Sequence, residues 1–160
     1  MLKVGDRIPD ISLKQMTNEG PTDVSLTEYC SGRKVVIFAL PGAFTPTCSE
    51  THVPSYTINA EALRNKGVAA VACISTADFF VMDAWGKSLG TGDQVDMLAD
   101  GNQEFTTAAG MGIDLSGFGL GQRSNRYAMI LDDGVISHIA IEPDAGSATV
   151  STADEVLKSL

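Results

Sequence analysis

The chain of 160 residues is 44% hydrophobic and 19% charged, proportions that predict one folded domain over 1–160 rather than a disordered chain. Its net charge of −9 opposes binding to nucleic acid or to an anionic membrane, so we expect neither as a partner. No apolar run approaches the ~20 residues that cross a bilayer, and the first six residues are not typical of a signal peptide. A cytoplasmic location is therefore the expectation.

The cysteines and histidines argue against a disulfide scaffold and against a metal site. Cys30, Cys48 and Cys73 are odd in number and widely spaced, which is typical of a protein in a reducing compartment. His52 and His138 are the only histidines, and no CxxC spacing occurs. We expect neither a metal nor another cofactor.

Apolar runs, capping residues and glycines predict an alternation of strands and helices. In chain order we expect an extended segment or hairpin over 4–25, a helix over 26–29, a strand over 35–40, a helix over 47–66, a strand over 68–74, a helix over 77–87, a strand over 95–98, a helix over 103–109, a glycine-rich loop with one helical turn over 110–121, a hairpin over 127–141, a loop over 143–149 and a closing helix over 152–160.

These elements predict an α/β domain. The runs over 35–40 and 68–74 are continuously apolar, as in strands buried on both faces, and Asp132-Asp133-Gly134 is typical of an antiparallel hairpin turn. We expect a mixed central sheet flanked by helices on both faces. In the helix over 77–87, Phe80, Ala84 and Trp85 are expected to share one side.

The segment over 40–50 is the centre of the functional interpretation, because it reads as strand, turn and helix start with Cys48 in the first helical turn. Either Thr45 is the N-cap with Pro46 at the first helical position, or Thr47 and Glu50 form a capping box. In both cases free backbone N–H groups favour an anion there. A free cysteine has a pKa of about 8.5, which a helix N-terminus can lower to roughly 3.5–7.5, so the sequence predicts a nucleophilic thiolate.

The residues Pro41, Thr45 and Cys48 resemble the P-x-x-x-T-x-x-C pattern of peroxiredoxins, and PGAFTPTCSETHVPSY is similar to their type-5, or type-II, subfamily. The resemblance extends to VGDRIPD, KGVAAVACIS, DAWGKSLG and RSNRYAMILDDGVISHIAIEP. It implies a thioredoxin-like fold and a thiol peroxidase that reduces hydrogen peroxide and organic hydroperoxides in antioxidant defence.

The chemistry can also be argued from the residues. Thr45-x-x-Cys48 occupies the place where a disulfide oxidoreductase carries Cys-x-x-Cys. The Thr45 hydroxyl cannot exchange disulfides, but it can donate to a thiolate or accept a proton from a peroxide. The thiolate would attack the terminal peroxide oxygen and become a sulfenic acid. Pro41 would shield the sulfur from water and from further oxidation.

Charge develops on the leaving oxygen, so hydrogen-bond donors are needed beside the sulfur. The backbone N–H groups of Thr47 and Cys48 are candidates, together with an arginine. The loop over 115–120 is expected to fold over Cys48 and set the width of the pocket. Thr47 and Phe118 are therefore predicted to contact the substrate.

Two arginines lie close together near the end of the chain. By resemblance, Arg126 matches the family arginine that precedes the aromatic residue at the start of a strand. Arg123 is the alternative candidate for this role. Otherwise Arg123 is interpreted as a surface arginine at the edge of a strand.

Three further residues have a structural and a functional interpretation. Cys73 lies within an apolar run and reads as a core residue, although a resolving role is the alternative by resemblance. Cys30 is predicted to lie at a helix end without a catalytic role. His52 follows Cys48 by four residues and is expected to be exposed on the helix, or else to act as an imidazolium that favours the thiolate.

Some members of the subfamily place a resolving cysteine in the late loop, which here reads Gly146-Ser147-Ala148-Thr149-Val150-Ser151 without a cysteine. The resemblance therefore implies a one-cysteine mechanism recycled by glutathione with glutaredoxin, or by thioredoxin. It also implies a homodimer. The rival hypotheses are a cysteine hydrolase or transferase with His52 as base, and an inert thioredoxin-like binding domain.

Overall fold

A seven-stranded mixed sheet forms the centre of the computed structural model, which describes residues 1–160. The strands are β1 (Ser12–Thr17), β2 (Gly20–Ser25), β3 (Lys34–Ala39), β4 (Val68–Ser75), β5 (Asp96–Ala99), β6 (Gly112–Asp114), β7 (Gln122–Ser124), β8 (Tyr127–Asp132) and β9 (Val135–Ile141). Their order in the sheet is β2-β1-β5-β4-β3-β8-β9, and β6 pairs with β7 in a separate hairpin.

The sheet is parallel only at its centre. Strand β4 runs parallel to both β3 and β5, whereas β8 is antiparallel to β3 and to β9, and β1 is antiparallel to β2 and β5. Of the two alternatives for 4–25, the hairpin is present as β1 and β2, and the predicted hairpin over 127–141 and the predicted mixed sheet are confirmed. The residues of β3 from Val35 to Ala39 are fully buried, because helices cover both faces of this strand.

Helices lie on both faces, as the sequence predicts. They are α1 (Leu26–Cys30), a π-helical turn (Cys48–His52), α2 (Val53–Ile58), α3 (Ala60–Asn65), α4 (Phe79–Leu89), α5 (Glu104–Ala108), a 3₁₀ turn (Ser116–Phe118) and α6 (Ala153–Leu157). Alternate residues of β3 point into two separate cores. Phe38 belongs to the core under α2, α3, α4 and α6, and Ile37 to the core under α1 and α5.

The single helix predicted over 47–66 is wrong in detail. The chain forms the π-helical turn, then α2 and α3, with Asn59 between them outside helical geometry at φ −97° and ψ 12°. Pro54 has no amide hydrogen and therefore cannot donate to the carbonyl four residues before it. The π-helical turn directly before α2 accommodates this proline. In that turn Val53 N–H donates to the Cys48 carbonyl, five residues before it. The predicted stop at Gly67 is confirmed by its φ of +90°.

The prediction that Phe80, Ala84 and Trp85 share one side of α4 is also wrong. Phe80 is 66% exposed and Ala84 is exposed, whereas Met82, Trp85 and Gly86 are buried. The Asp78 side chain caps the helix by accepting from Val81 N–H, which sets this register. Phe80 therefore lies on the outer side of the helix, opposite Trp85.

The loop predicted over 110–121 contains more structure than expected. Its helical turn is present as Ser116–Phe118, but β6 and β7 form a hairpin at its two ends. Glycines in and around these strands hid the alternation that would have marked them. No helix is long and apolar enough to cross a membrane, and no group of three or more potential metal-binding side chains is present.

Candidate active site

The turn after β3 places Cys48 at the start of a helix. Phe44 adopts a left-handed conformation at φ +63°, helical geometry begins at Pro46, and Ser49 N–H donates to the Thr45 carbonyl at 3.0 Å. The structure thus has the register in which Thr45 precedes the helix and Pro46 is its first residue.

The alternative capping box is not formed. Thr47 is already helical at φ −61° and ψ −39°, and its hydroxyl donates to the Gly146 carbonyl at 2.9 Å instead of capping the helix. The Thr45 hydroxyl donates to the Gly42 carbonyl at 2.7 Å. Both threonine side chains therefore hold loops around the helix start.

The guanidinium of Arg126 lies against the sulfur. Its Nη2 donates to Cys48 Sγ at 3.1 Å, its Nη1 contacts His52 Nδ1 at 2.9 Å, and its Nε donates to the Ala145 carbonyl at 2.9 Å. Arg126 is 2% exposed and Cys48 is fully buried. No carboxylate forms an ion pair with Arg126, and the Cys48 sulfur is the ionisable acid that this buried cation contacts directly.

His52 is fully buried, so its predicted exposure on the helix is wrong. Its Nε2 lies 3.0 Å from the Ser151 carbonyl, which can only accept, so Nε2 carries the hydrogen and Nδ1 accepts from Arg126. Burial and the Arg126 cation lower the pKa of His52 to about 3. The alternative interpretation as an imidazolium is therefore wrong as well, and the ring is a neutral support for Arg126.

A cavity of about 560 Å³ is lined in part by Arg126, and the fully buried Cys48 sulfur is not among its lining groups. Pro41, Thr45 and Thr47 line one wall, and Arg126 reaches its floor. The opposite wall is apolar and consists of Ile113, Leu115, Phe118 and Leu120. Phe118 is 81% exposed and stands at the rim. The cavity thus combines an apolar entrance with a small polar end.

Comparison with known proteins decides the family. A family model described as Redoxin matches residues 3–157. Peroxiredoxin-2E, chloroplastic, of Arabidopsis thaliana is 46% identical over 164 residues, which cover 99% of this chain and 69% of that protein. Peroxiredoxin-2B of the same organism is 42% identical over 160 residues, which cover 99% of this chain and 98% of that protein.

Solved structures give the same answer. Reduced Prx3 of Vibrio vulnificus in complex with hydrogen peroxide matches with a TM-score of 0.94 and 45% identity, over 99% of each chain. The chain belongs to the peroxiredoxin family. It is a thiol-specific peroxidase, and its thioredoxin-like fold is the one that the sequence predicts.

Within this peroxiredoxin, the structure brings the predicted site residues together. Pro41, Thr45, Thr47 and Arg126 line one cavity, and Arg126 contacts Cys48. Phe118 is at the same cavity but at its mouth.

Arg123 does not contact the sulfur; it lies half-buried on β7, an edge strand of the two-stranded hairpin, in agreement with its interpretation as an arginine at a strand edge. Its Nε donates to the Leu120 carbonyl at 2.8 Å and its Nη1 to the Pro41 carbonyl at 3.2 Å. It therefore ties the apolar wall to the turn after β3. A Cβ at Gly42 would lie 2.8 Å from Nη1, so a side chain there would displace the Arg123 guanidinium.

The other two cysteines are buried and free. Burial raises the pKa of Cys30 to about 11 and that of Cys73 well above its ordinary value, so both are held as thiols at neutral pH. Cys73 packs in the same core as Cys48, as the core interpretation predicts.

The sequence did not reveal what holds Arg126 in place. Its carbonyl partner on Ala145 and the Ser151 carbonyl behind His52 lie in the segment 143–151, which the sequence predicts only as a loop over 143–149. A backbone carbonyl carries no sequence signal. The one available clue was His52 at the fourth position after Cys48, which places both on one side of the helix.

Proposed function

We propose that the Cys48 thiolate reduces hydroperoxides in the cavity beneath Phe118. The sulfur attacks the terminal peroxide oxygen, so that an S–O bond forms, the O–O bond breaks and Cys48 becomes a sulfenic acid. The other peroxide oxygen leaves with the electron pair of the broken O–O bond and takes up a proton to become water or an alcohol. The observation that carries this proposal is the 3.1 Å contact between Arg126 Nη2 and Cys48 Sγ at a helix start.

The hydrogen bond of Thr45 supports one of its two suggested roles. Its hydroxyl hydrogen is committed to the Gly42 carbonyl at 2.7 Å, which leaves the lone pairs of Oγ1 free. Thr45 can therefore accept the hydrogen of the peroxide and orient the O–O bond toward the sulfur. Donation from Thr45 to the thiolate would require that its bond to Gly42 be broken.

The leaving oxygen has donors at hand. The guanidinium of Arg126 reaches the sulfur from the floor of the cavity, and the N–H groups of Thr47 and Cys48 belong to the first helical turn, where no i−4 carbonyl exists for them. Such fixed donors stabilise negative charge as the O–O bond breaks. Pro41 fills the side of the cavity next to Thr45 and limits the access of water to the sulfenic acid.

The apolar wall supports a substrate range that includes organic hydroperoxides. A chain of several carbons fits against Ile113, Leu115 and Leu120 while the peroxide group reaches Arg126. Replacing Phe118 by alanine is expected to raise the KM for cumene hydroperoxide several-fold and to leave the rate with hydrogen peroxide unchanged. Ile58→Ala is the matched control, because Ile58 is likewise 81% exposed but lies outside this cavity. Equal effects of both substitutions would contradict the assignment.

We further propose that an external thiol recycles the sulfenic acid. The thiol condenses with Cys48 to a mixed disulfide and water, and a second thiol then releases the Cys48 thiolate. All three cysteines are buried and free, and no cysteine occurs in 143–151. Glutathione with glutaredoxin is the proposed donor and thioredoxin the second choice. Turnover with each purified system, measured as NADPH consumption, ranks them.

A homodimer is also proposed, on two exposed phenylalanines. Phe44 is 57% and Phe80 66% exposed, and the Phe44 ring lies 6.4 Å from that of Trp85. Aromatic side chains are enriched at protein interfaces. A monomeric mass by light scattering at micromolar concentration would reject it. The cytoplasmic location stays a prediction that fractionation of the source cells can test.

Stopped-flow oxidation tests the proposed reaction. One equivalent of hydrogen peroxide is expected to remove one titratable thiol from the wild type and none from Cys48→Ser, whereas Cys48 alone should react in a variant with Cys30→Ser and Cys73→Ser. An inert wild type would favour a binding domain. The hydrolase hypothesis fails on geometry, since both ring nitrogens of His52 already have partners and neither contacts Cys48. Ester hydrolysis should be absent.

A further inference from the structure

Glu142 is a buried carboxylate without a basic partner. It follows β9 directly, is 3% exposed and forms none of the four ion pairs in the structure. Backbone and hydroxyl donors surround it instead. Burial raises the pKa of Glu142, but hydrogen bonds from Ser151, Thr149 and Val150 together outweigh burial and hold the pKa below its ordinary value. The group is therefore an anion at neutral pH.

Five hydrogen bonds converge on this carboxylate. Oε2 accepts from the N–H groups of Thr149, Val150 and Ser151 at 2.9, 2.8 and 2.8 Å, and from the Ser151 hydroxyl at 2.7 Å. Oε1 accepts from the Thr149 hydroxyl at 2.7 Å. Because these three residues belong to neither a helix nor a strand, the carboxylate supplies the acceptors that regular structure would otherwise provide.

The segment that Glu142 holds is also the support of the site. The Ser151 carbonyl accepts from His52 Nε2 at 3.0 Å and from the Tyr56 hydroxyl at 2.6 Å. His52 in turn accepts from Arg126. A continuous series of hydrogen bonds therefore leads from the Glu142 carboxylate through Ser151 and His52 to the guanidinium that contacts the sulfur.

The same segment reaches the site at two more points. Before Thr149, the Ala145 carbonyl accepts from Arg126 Nε at 2.9 Å and the Gly146 carbonyl accepts from the Thr47 hydroxyl at 2.9 Å. If Glu142 no longer bound residues 149–151, the segment that carries these carbonyls would be anchored at one end only. Arg126 would then keep its charge but lose its orientation.

We propose that Glu142 is a positioning residue of the peroxidase: its carboxylate fixes residues 143–151, and these orient His52 and Arg126 on Cys48 Sγ. The proposal rests on the function proposed above for Cys48 and Arg126. Glu142 touches neither the sulfur nor the cavity. Its effect on Arg126 is exerted through hydrogen-bond geometry, which depends on the reach and the acceptor oxygen of the side chain. Its charge raises the pKa of His52, which is neutral at pH 7 with or without that charge.

Three substitutions separate geometry from charge. Glu142→Gln keeps the reach and one acceptor oxygen for the donors now on Oε2, and its amide can donate to the Thr149 hydroxyl, so it is expected to retain the rate within about threefold. Glu142→Asp keeps the charge but is one methylene shorter, and Glu142→Ala removes the acceptor. Both are expected to lower the thiolate fraction at pH 7 and to slow oxidation by about tenfold or more, since an opposite charge in contact with a thiol stabilises its ionised form.

The matched control is Asp100→Ala. Asp100 is another carboxylate that is 2% exposed, and it accepts from Phe105 N–H and from the N–H and hydroxyl of Thr106, none of which is hydrogen-bonded to Cys48 or Arg126. This variant is expected to lose stability while its oxidation rate stays within about twofold of wild type, because no hydrogen bond of Arg126 is changed.

The readouts are the 240-nm absorbance of the thiolate, the second-order rate constant with hydrogen peroxide and the thermal midpoint. The proposal would be overturned if both Glu142→Asp and Glu142→Ala were oxidised at the wild-type rate. It would also be overturned if Glu142→Gln were oxidised slowly while Glu142→Asp was oxidised at the wild-type rate. If Glu142→Ala does not fold, the comparison of Gln with Asp decides. A wild type that loses no thiol to peroxide would refute the proposed function instead, so the two failures are distinguishable.

Discussion

Acid is predicted to destabilise this peroxiredoxin through His52, well above the pH at which carboxylates are ordinarily protonated. Burial and the neighbouring Arg126 cation lower the pKa of His52 to about 3, whereas the unfolded chain has the ordinary value of 6.5. Between these values the unfolded state binds one more proton than the folded state, so a falling pH favours unfolding. The contribution is fully present above pH 6.5 and is lost as the pH falls toward 3.

The size of the effect follows from the two pKa values. At pH 5 the histidine of the unfolded chain is protonated and that of the folded protein is not, which costs about 2 kcal/mol at about 1.36 kcal/mol per pH unit over the interval from 6.5. A proton on Nδ1 would also remove the acceptor that holds Arg126 Nη1 at 2.9 Å. Stability should therefore fall from about pH 6.5 downward, whereas the folded enzyme loses this acceptor only as the pH approaches 3.

Urea unfolding at pH 7, 6 and 5 measures the effect, with His52→Gln as the comparison. Glutamine keeps a donor for the Ser151 carbonyl and does not titrate, and every other ionisable group is common to both proteins. The free energy of unfolding should fall by about 2 kcal/mol more in the wild type than in the variant between pH 7 and 5. Parallel curves for the two proteins would refute the assignment of His52 as a buried neutral ring.

Three further predictions concern the site. Arg126→Lys cannot reproduce the fork that contacts Sγ and should slow oxidation of Cys48 by about 100-fold in stopped flow, whereas Arg123→Lys should cost less than about tenfold; the reverse order would exchange their roles. Thr45→Val should slow the same step by about tenfold or more and Thr45→Ser should restore it, because a hydroxyl acceptor is what the peroxide needs. Cys73→Ser should leave the step unchanged, and a high yield of an intramolecular Cys48–Cys73 disulfide by mass spectrometry after peroxide treatment would contradict the one-cysteine mechanism.

The sequence predicts those parts of the structure whose causes are local. The apolar run of β3, the turn at Pro41 and the helix start at Pro46 follow one another within about a dozen residues, and their signals of burial, turn and capping agree. This agreement is why the position of Cys48 could be predicted. The hairpin of β8 and β9 was equally clear, because an Asp-Gly turn joins two apolar strands.

The features that the sequence did not predict depend on distant partners. His52 contacts Ser151 at a separation of 99 residues and Arg126 at a separation of 74. No residue near His52 in the sequence therefore indicated that its ring is buried. Arg123 likewise contacts Pro41 at a separation of 82 residues. Only the folded chain brings these groups together, and the family resemblance gave the role of Arg126 without its supports.

Burial of Arg126 has a consequence for the catalytic cycle. In the reduced protein the proposed Cys48 thiolate is the counter-ion of a guanidinium that is only 2% exposed. When oxidation converts this thiolate into a neutral sulfenic acid, the cation loses its counter-ion in a medium of low polarity, where an uncompensated charge is costly. The oxidised protein should therefore melt at a lower temperature than the reduced one. This loss of stability would make local opening around the buried sulfur easier. The reductant would then reach Cys48 in the sulfenic acid state, which is the stage of the cycle at which it must react.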